Sequence, residues 1–336
     1  SSAGSTASEF WESLVQQKRI TNGKFKSAPA SNSLDTLVTE LLRAWKEAKT
    51  KLDHSQISIE KRLGVIFAST KGNIDDYVWD AAQASNSSPQ EDTLTPVLKH
   101  FLLRAELSPI LMTSVSNACA SSLAALFLGQ EWLKQGRVDQ VILIAADQAG
   151  PFVKEGFQAL QALTASEPQP FADCRDGLAL GEAAAVIVLG KNSTVGFSLE
   201  GVALDTEGYA VTRPSPSGKS LMRAYRSMKS AQAPDVIIAH GTATKINDSA
   251  EDQTYSELFP SHTIPITGTK WCIGHTLGVS GAMDVIAACE ILKHQKVFPI
   301  ATTQTIDSAF KNRYITGNEP LSLPVKKVLI ASLGFG

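Results

Sequence analysis

The chain has 336 residues, with 31 Lys plus Arg against 33 Asp plus Glu, a formal net charge of −2, and 43% apolar residues. That balance argues against broad electrostatic binding to nucleic acid or an anionic membrane, and the apolar share argues against global disorder. The longest apolar runs fall far short of a membrane span and no signal peptide is visible, so a cytoplasmic α/β protein is expected.

In chain order, Phe10, Trp11, Leu14 and Val15 recur at helical spacing, and residues 36–51 form a second amphipathic helix candidate. Residues 63–69 read as a short buried strand and 73–89 as loop. Residues 110–115 read as a strand, 118–135 as a helix stopped by Gly136, and 138–146 as a strand: the order of a parallel crossover. The helix is small or apolar on nearly every face at its start and polar at its end, so its start is expected to be buried all round. Residues 183–189 are a further buried strand. A second half is expected to begin around 196–204, with strands at 236–239 and 264–267 and a helix over 278–294 that turns Val279, Ala282, Met283, Ile286 and Ala287 inward.

Three residues stand at places where chemistry is done. Cys119 lies between a strand and a helix among small neighbours, where a helix N-terminus favours thiolate. His240 ends a strand in His240-Gly241-Thr242-Ala243-Thr244, and His275 stands in Gly274-His275-Thr276, just before a long helix. Glycine-flanked positions at strand and helix ends reach shared clefts. The other histidines, His54, His100, His262 and His294, read as surface residues. The remaining cysteines, Cys174, Cys272 and Cys289, are scattered and form no CxxC pair, so neither a disulfide framework nor a metal site is expected.

These segments resemble the β-ketoacyl synthases, condensing enzymes of the thiolase fold. The matching stretches are Asn117-Ala118-Cys119-Ala120-Ser121-Ser122, residues 177–184, residues 240–244, Thr269-Lys270 with Gly274-His275, and Gly334-Phe335-Gly336. The Cys-His-His set is similar to that of elongating synthases; the priming type carries His and Asn, and biosynthetic thiolases add a second cysteine near the C-terminus.

The resemblance implies a thiolase-like α/β fold, two similar βαβ-type halves (1–190 and 191–336) packed as a layered α-β-α-β-α domain. It implies decarboxylative Claisen condensation of an acyl-Cys119 intermediate with a malonyl thioester, in fatty acid or polyketide-type biosynthesis. In that scheme His240 and His275 stabilise the enolate, Lys270 paired with Glu182 organises the site, and backbone N–H groups of Cys119 and Phe335 form the oxyanion hole. Thr242 and Thr244 would hydrogen-bond the phosphopantetheine arm of an acyl carrier protein, and Phe335 would gate the acyl pocket. No bound cofactor is expected; the partners implied are the carrier protein and a second synthase-type chain, in a homodimer or a heterodimer.

Departures from the family pattern are Ala243 where glycine is usual, Lys245 where proline is common, Ala183 where a second glycine is frequent, and Trp271, which is expected to narrow the pocket. Strands that usually open and close the domain are not in the sequence, so trimming at both ends is expected, since bare strand edges would otherwise be exposed. A non-catalytic chain-length-factor-like partner is the main alternative, and a degradative thiolase, lacking its second cysteine, a third.

Overall fold

Period-two side-chain alternation sets the layers. The computed structural model describes residues 6–18, 32–81, 92–191, 195–210, 215–230 and 232–334. Helix α1 (Ala7–Val15) is capped by Thr6 and buries Phe10, Trp11 and Leu14; α2 (Ser33–His54) is capped by Asn32 and buries Leu37, Val38, Leu41 and Trp45. Then come β1 (Leu63–Ala68), α3 (Ile74–Ala81), α4 (Thr95–Arg104), β2 (Leu111–Val115), α5 (Ser121–Lys134), β3 (Gln140–Asp147), α6 (Pro151–Ala159) and β4 (Ala183–Gly190).

Leu63, Val65 and Phe67 of β1, with Ile142 and Ile144 of β3, turn outward to α2 and α4. Ile66, Ala68, Val141, Leu143 and Ala145 turn inward to a core shared with the rest of the chain. The sheet order is β2-β1-β3-β4, with β4 antiparallel to its neighbour.

The remaining elements are α7 (Lys219–Ser227), β5 (Val236–Ile238), α8 (Lys245–Leu258), β6 (Pro265–Thr267), α9 (Lys270–Ile273), a 3-10 turn (Leu277–Val279), α10 (Ser280–His294), β7 (Lys296–Val297), β8 (Arg313–Tyr314), β9 (Leu321–Ser322) and β10 (Val328–Ile330). A second sheet, β10-β5-β6-β8, is parallel throughout, and β7 pairs with β9. Helices α5 and α10 pack on each other between the two sheets, which completes an α-β-α-β-α layering with α2 and α4 on one outside and α7 and α8 on the other. Among the described residues no helix is long and apolar enough to cross a membrane.

Four expectations change. Residues 73–89, read as loop, include α3, whose first turn carries Asp75 and Asp76; acidic side chains there suit the helix dipole. Asp76 also accepts the N–H groups of Ser33 and Leu34 at the start of α2. Helix α5 begins at Ser121 rather than 118, because residues 117–120 form a tight turn with Ala118 in the left-handed region, φ 44°. Its start is not buried all round: Leu123, Phe127 and Leu128 are half-buried, and Trp132 and Leu133 near its end are buried. Strand β4, at a sheet edge, is only partly buried: Ala183 and Ala185 are buried, while Ala184 and residues 186–189 are half-buried, packed alternately against the two core clusters.

Candidate active site

The turn that carries Cys119 is built by β2 delivering the chain into residues 117–120. Ser121 Oγ accepts the Asn117 N–H at 2.8 Å and donates to the Ala118 carbonyl at 2.6 Å, so one hydroxyl closes the turn around Cys119. The thiol is buried, and the Cys119 carbonyl accepts the Ser332 hydroxyl at 3.2 Å, which ties the turn to the chain after β10. Cys119 thus precedes the helix by two residues rather than standing in its first turn.

His240 leaves β5 on a loop fixed by Glu251 of α8. That carboxylate accepts the N–H groups of His240 at 2.8 Å and Gly241 at 2.7 Å, together with Asn247 Nδ2 and the Tyr255 hydroxyl. Four donors on one fully buried carboxylate leave the loop little freedom. Gly241 (φ 47°) and Ala243 (φ 64°) both take left-handed backbone, which explains why glycine suits position 243 and why alanine there carries strain. His275 follows α9 through Gly274 (φ 71°) and is pinned to residues 179–181 by its N–H to the Ala179 carbonyl and its carbonyl to the Gly181 N–H.

The two imidazoles meet edge to face with centroids 5.3 Å apart. A small cavity of about 40 Å³ is lined by Cys119, His240, His275, Thr242, Thr244 and Phe157. The Leu277 N–H donates to His275 Nδ1 at 3.0 Å, so Nδ1 is an acceptor and Nε2 carries the proton. Burial, then the Lys270 charge, lowers His275 to about 3; burial, Lys270 and His275 hold His240 well below the usual histidine range. Both rings are neutral donors at physiological pH. A larger cavity of about 800 Å³ between β4, α10 and residues 196–207 holds none of these three side chains.

Lys270 is buried, but its carboxylate is not Glu182. Lys270 Nζ lies 3.5 Å from Asp284 Oδ2, and Asp284 Oδ1 accepts the Thr269 hydroxyl at 2.6 Å. Glu182 instead accepts the Ala149 N–H at 3.2 Å, after β3. Trp271 turns into the core and lines neither histidine nor thiol, so it does not narrow this cavity. Thr242 and Thr244 do line it, their hydroxyls 3.0 Å apart. Phe335 lies outside the described residues. Of the histidines read as surface, His54, His100 and His294 are exposed and His262 is half-buried.

Glu251, Asp284, Phe157 and Ser280, whose hydroxyl lies 3.2 Å from His275 Nδ1, are not among the residues that the sequence singles out. Asn247, Glu251 and Tyr255 stand at i, i+4 and i+8, a polar stripe on the buried face of α8 where an apolar one is ordinary; that periodicity was the available signal.

Gly181 sets a tight clearance. A Cβ there would lie 2.0 Å from the Ile273 carbonyl oxygen, on the segment that carries His275. Gly181→Ala is expected to destabilise by about 2–3 kcal/mol and to slow any reaction that uses His275 by at least about tenfold. Urea unfolding and steady-state rates on the same preparation check this.

Known proteins bear on the same residues. The β-ketoacyl synthase N-terminal domain profile matches residues 111–194 and the C-terminal domain profile residues 197–304. The chain is 29% identical over 246 residues to the actinorhodin polyketide putative beta-ketoacyl synthase 1 of Streptomyces coelicolor, covering 67% of this chain and 52% of that one. It is 26% identical over 339 residues to the chloroplastic 3-oxoacyl-[acyl-carrier-protein] synthase II of Arabidopsis thaliana, covering 91% and 62%. The chain thus spans little more than half the length of the curated relatives it matches. The ishigamide ketosynthase/chain length factor superposes with a TM-score of 0.83 at 19% identity, covering 100% and 94%, which shows a shared fold.

Proposed function

The chain belongs to the β-ketoacyl synthase family, and from that premise we propose that it is a decarboxylating, carbon–carbon bond-forming acyltransferase acting on carrier-bound thioesters. Cys119 Sγ attacks the acyl thioester carbonyl, and the carrier's thiol leaves with the proton. A malonyl thioester then enters, and the Nε2–H groups of His240 and His275 donate to its thioester carbonyl. As the bond to the carboxylate breaks and carbon dioxide leaves, the electron pair moves into the enolate so stabilised. The enolate carbon attacks acyl-Cys119, and the thiolate leaves. The N–H groups of Cys119 and Phe335 are assigned to the oxyanion by resemblance, and Thr242 and Thr244 to the phosphopantetheine arm.

The observation that carries this reading is one thiol and two neutral imidazoles, from three distant segments, lining one cavity. No bound cofactor enters the scheme. The proposed setting is the cytoplasm, whose reducing conditions keep a reactive thiol such as that of Cys119 available. Strand β2 is a sheet edge with Met112 51% exposed and Ile110, just before it, 58% exposed, an arrangement suited to pairing with a second synthase-type chain, identical or related. The acyl carrier protein is the other partner.

Intact-mass and peptide analysis after incubation with an acyl-carrier thioester tests the proposal. One acyl mass is expected on the peptide holding Cys119 and none on exposed Cys174. An unmodified protein that raises product only when an active synthase is added would establish the chain-length-factor-like role instead.

A further inference from the structure

The two halves of the site are held in register by a buried carboxylate that the condensation scheme does not use. Asp147, the last residue of β3, is wholly buried. Its Oδ2 accepts the Gly278 N–H at 2.9 Å and the Thr70 N–H at 2.9 Å; its Oδ1 accepts the Ser69 hydroxyl at 2.6 Å and the Thr70 hydroxyl at 3.0 Å. Every partner donates, so the pocket is built for an ionised carboxylate. Burial pushes its pKa up, and these donors with the Lys71 charge pull against that.

Each partner leads to one arm of the site. Gly278 belongs to the 3-10 turn whose Leu277 N–H binds His275 Nδ1, so the orientation of that turn sets the ring. Thr70 presents its carbonyl to the Ser116 hydroxyl at 3.0 Å, and the Ser69 N–H bonds the Val115 carbonyl, both on the segment that runs into Cys119. The three pieces are in close contact: a Cβ on Gly278 would lie 2.8 Å from Asp147 Oδ2, 2.9 Å from Thr70 N and 3.1 Å from Ser121 Cβ.

We propose that Asp147 is a positioning residue that fixes the His275 ring and the Cys119 thiol relative to each other across the junction of the two halves. This rests on the ketosynthase reading for its catalytic readout, and on geometry alone for its chemical one. Near-isosteric Asp147→Asn keeps one acceptor and turns an NH₂ group toward N–H donors, which breaks at least one arm.

The test compares wild type with Asp147→Asn by malonyl-thioester decarboxylation and by iodoacetamide labelling of Cys119, with exposed Cys174 as internal reference. Expected are a 10- to 100-fold lower kcat with KM within about twofold, and at least a threefold change in the Cys119-to-Cys174 labelling ratio. A folded variant with both readouts at the wild-type level overturns the proposal. So does a kcat that falls only in proportion to the unfolded fraction. Should Asp147→Asn not fold, Thr70→Val, which removes the 3.0 Å hydroxyl arm, decides by the same readouts with smaller changes. A wild type that neither loads acyl groups nor releases carbon dioxide sinks the ketosynthase reading, and the labelling ratio then decides the role of Asp147.

Discussion

Replacing His275 with alanine is expected to lower malonyl-thioester decarboxylation by about 10²–10³-fold, while acyl loading of Cys119 stays within a few fold of wild type. The reason is the division of labour within the cavity. His275 Nδ1 is taken up by the Leu277 N–H, so the ring has one donor left, Nε2–H, and the buried rings stand edge to face beside the thiol. A preorganised donor in a buried site is worth most where negative charge develops, which in the proposed reaction is the enolate oxygen and not the thioester in its ground state. Thiol acylation develops its charge elsewhere and needs the ring less. Equal losses in both half-reactions would contradict this assignment and point to a general collapse of the cavity.

The pH profile separates this mechanism from acid–base catalysis by an ordinary histidine. His275 titrates at about 3 and His240 well below 6.5, so the donor form persists as the pH falls. Decarboxylation by wild type is expected to be level between about pH 5.5 and 7.5, where an unperturbed histidine would show a break near 6.5. Stability runs the other way for the same groups. The unfolded chain takes protons on these histidines below about 6.5 and the folded chain does not, so each histidine costs about 1.4 kcal/mol per pH unit as the medium acidifies. Asp248, pushed up to about 7 by burial, gains protons in the folded state over part of that range and offsets one histidine.

Cys119, His240 and His275 were legible in the sequence because each stands where a strand or loop meets a helix among residues too small to fill the space. Each such position alone is more often structural; the three together, with the resemblance to the β-ketoacyl synthases, pointed to a shared site. Strands β1 to β6 were legible as short apolar runs, and α1 and α2 by the period that burial on one face leaves; α3, α4, α6 to α9 and β7 to β10 were not. What the sequence could not display was which charge answers which. Lys270 stands 14 residues before Asp284 and far from Glu182, and all three are buried. Only the fold selects Asp284, at the start of α10, while Glu182, just before β4, meets the Ala149 N–H. The start of α5 was misplaced because a left-handed alanine at position 118, stabilised by the Ser121 hydroxyl, has no signature in composition.

That buried pair supplies the second large effect. Asp284→Asn is expected to destabilise the fold by about 3–5 kcal/mol, because it strands a Lys270 ammonium with no hydrogen-bond partner among the described residues. Replacing both groups by apolar ones, Lys270→Met with Asp284→Leu, should return most of the loss, since neither buried charge then needs an answer. Urea unfolding of the two single variants and the double variant measures the coupling. Activity should not follow stability back. The Lys270 charge helps keep both histidines unprotonated, second only to burial for each. The double variant is therefore expected to fold well and yet to raise the pH at which His240 and His275 protonate, a shift that histidine ring NMR resonances would read directly. If stability recovers and the histidines titrate as in wild type, Lys270 serves packing alone. If the rings shift upward, the ion pair is kept for the charge it holds beside the two donors, and its cost in stability is the consequence.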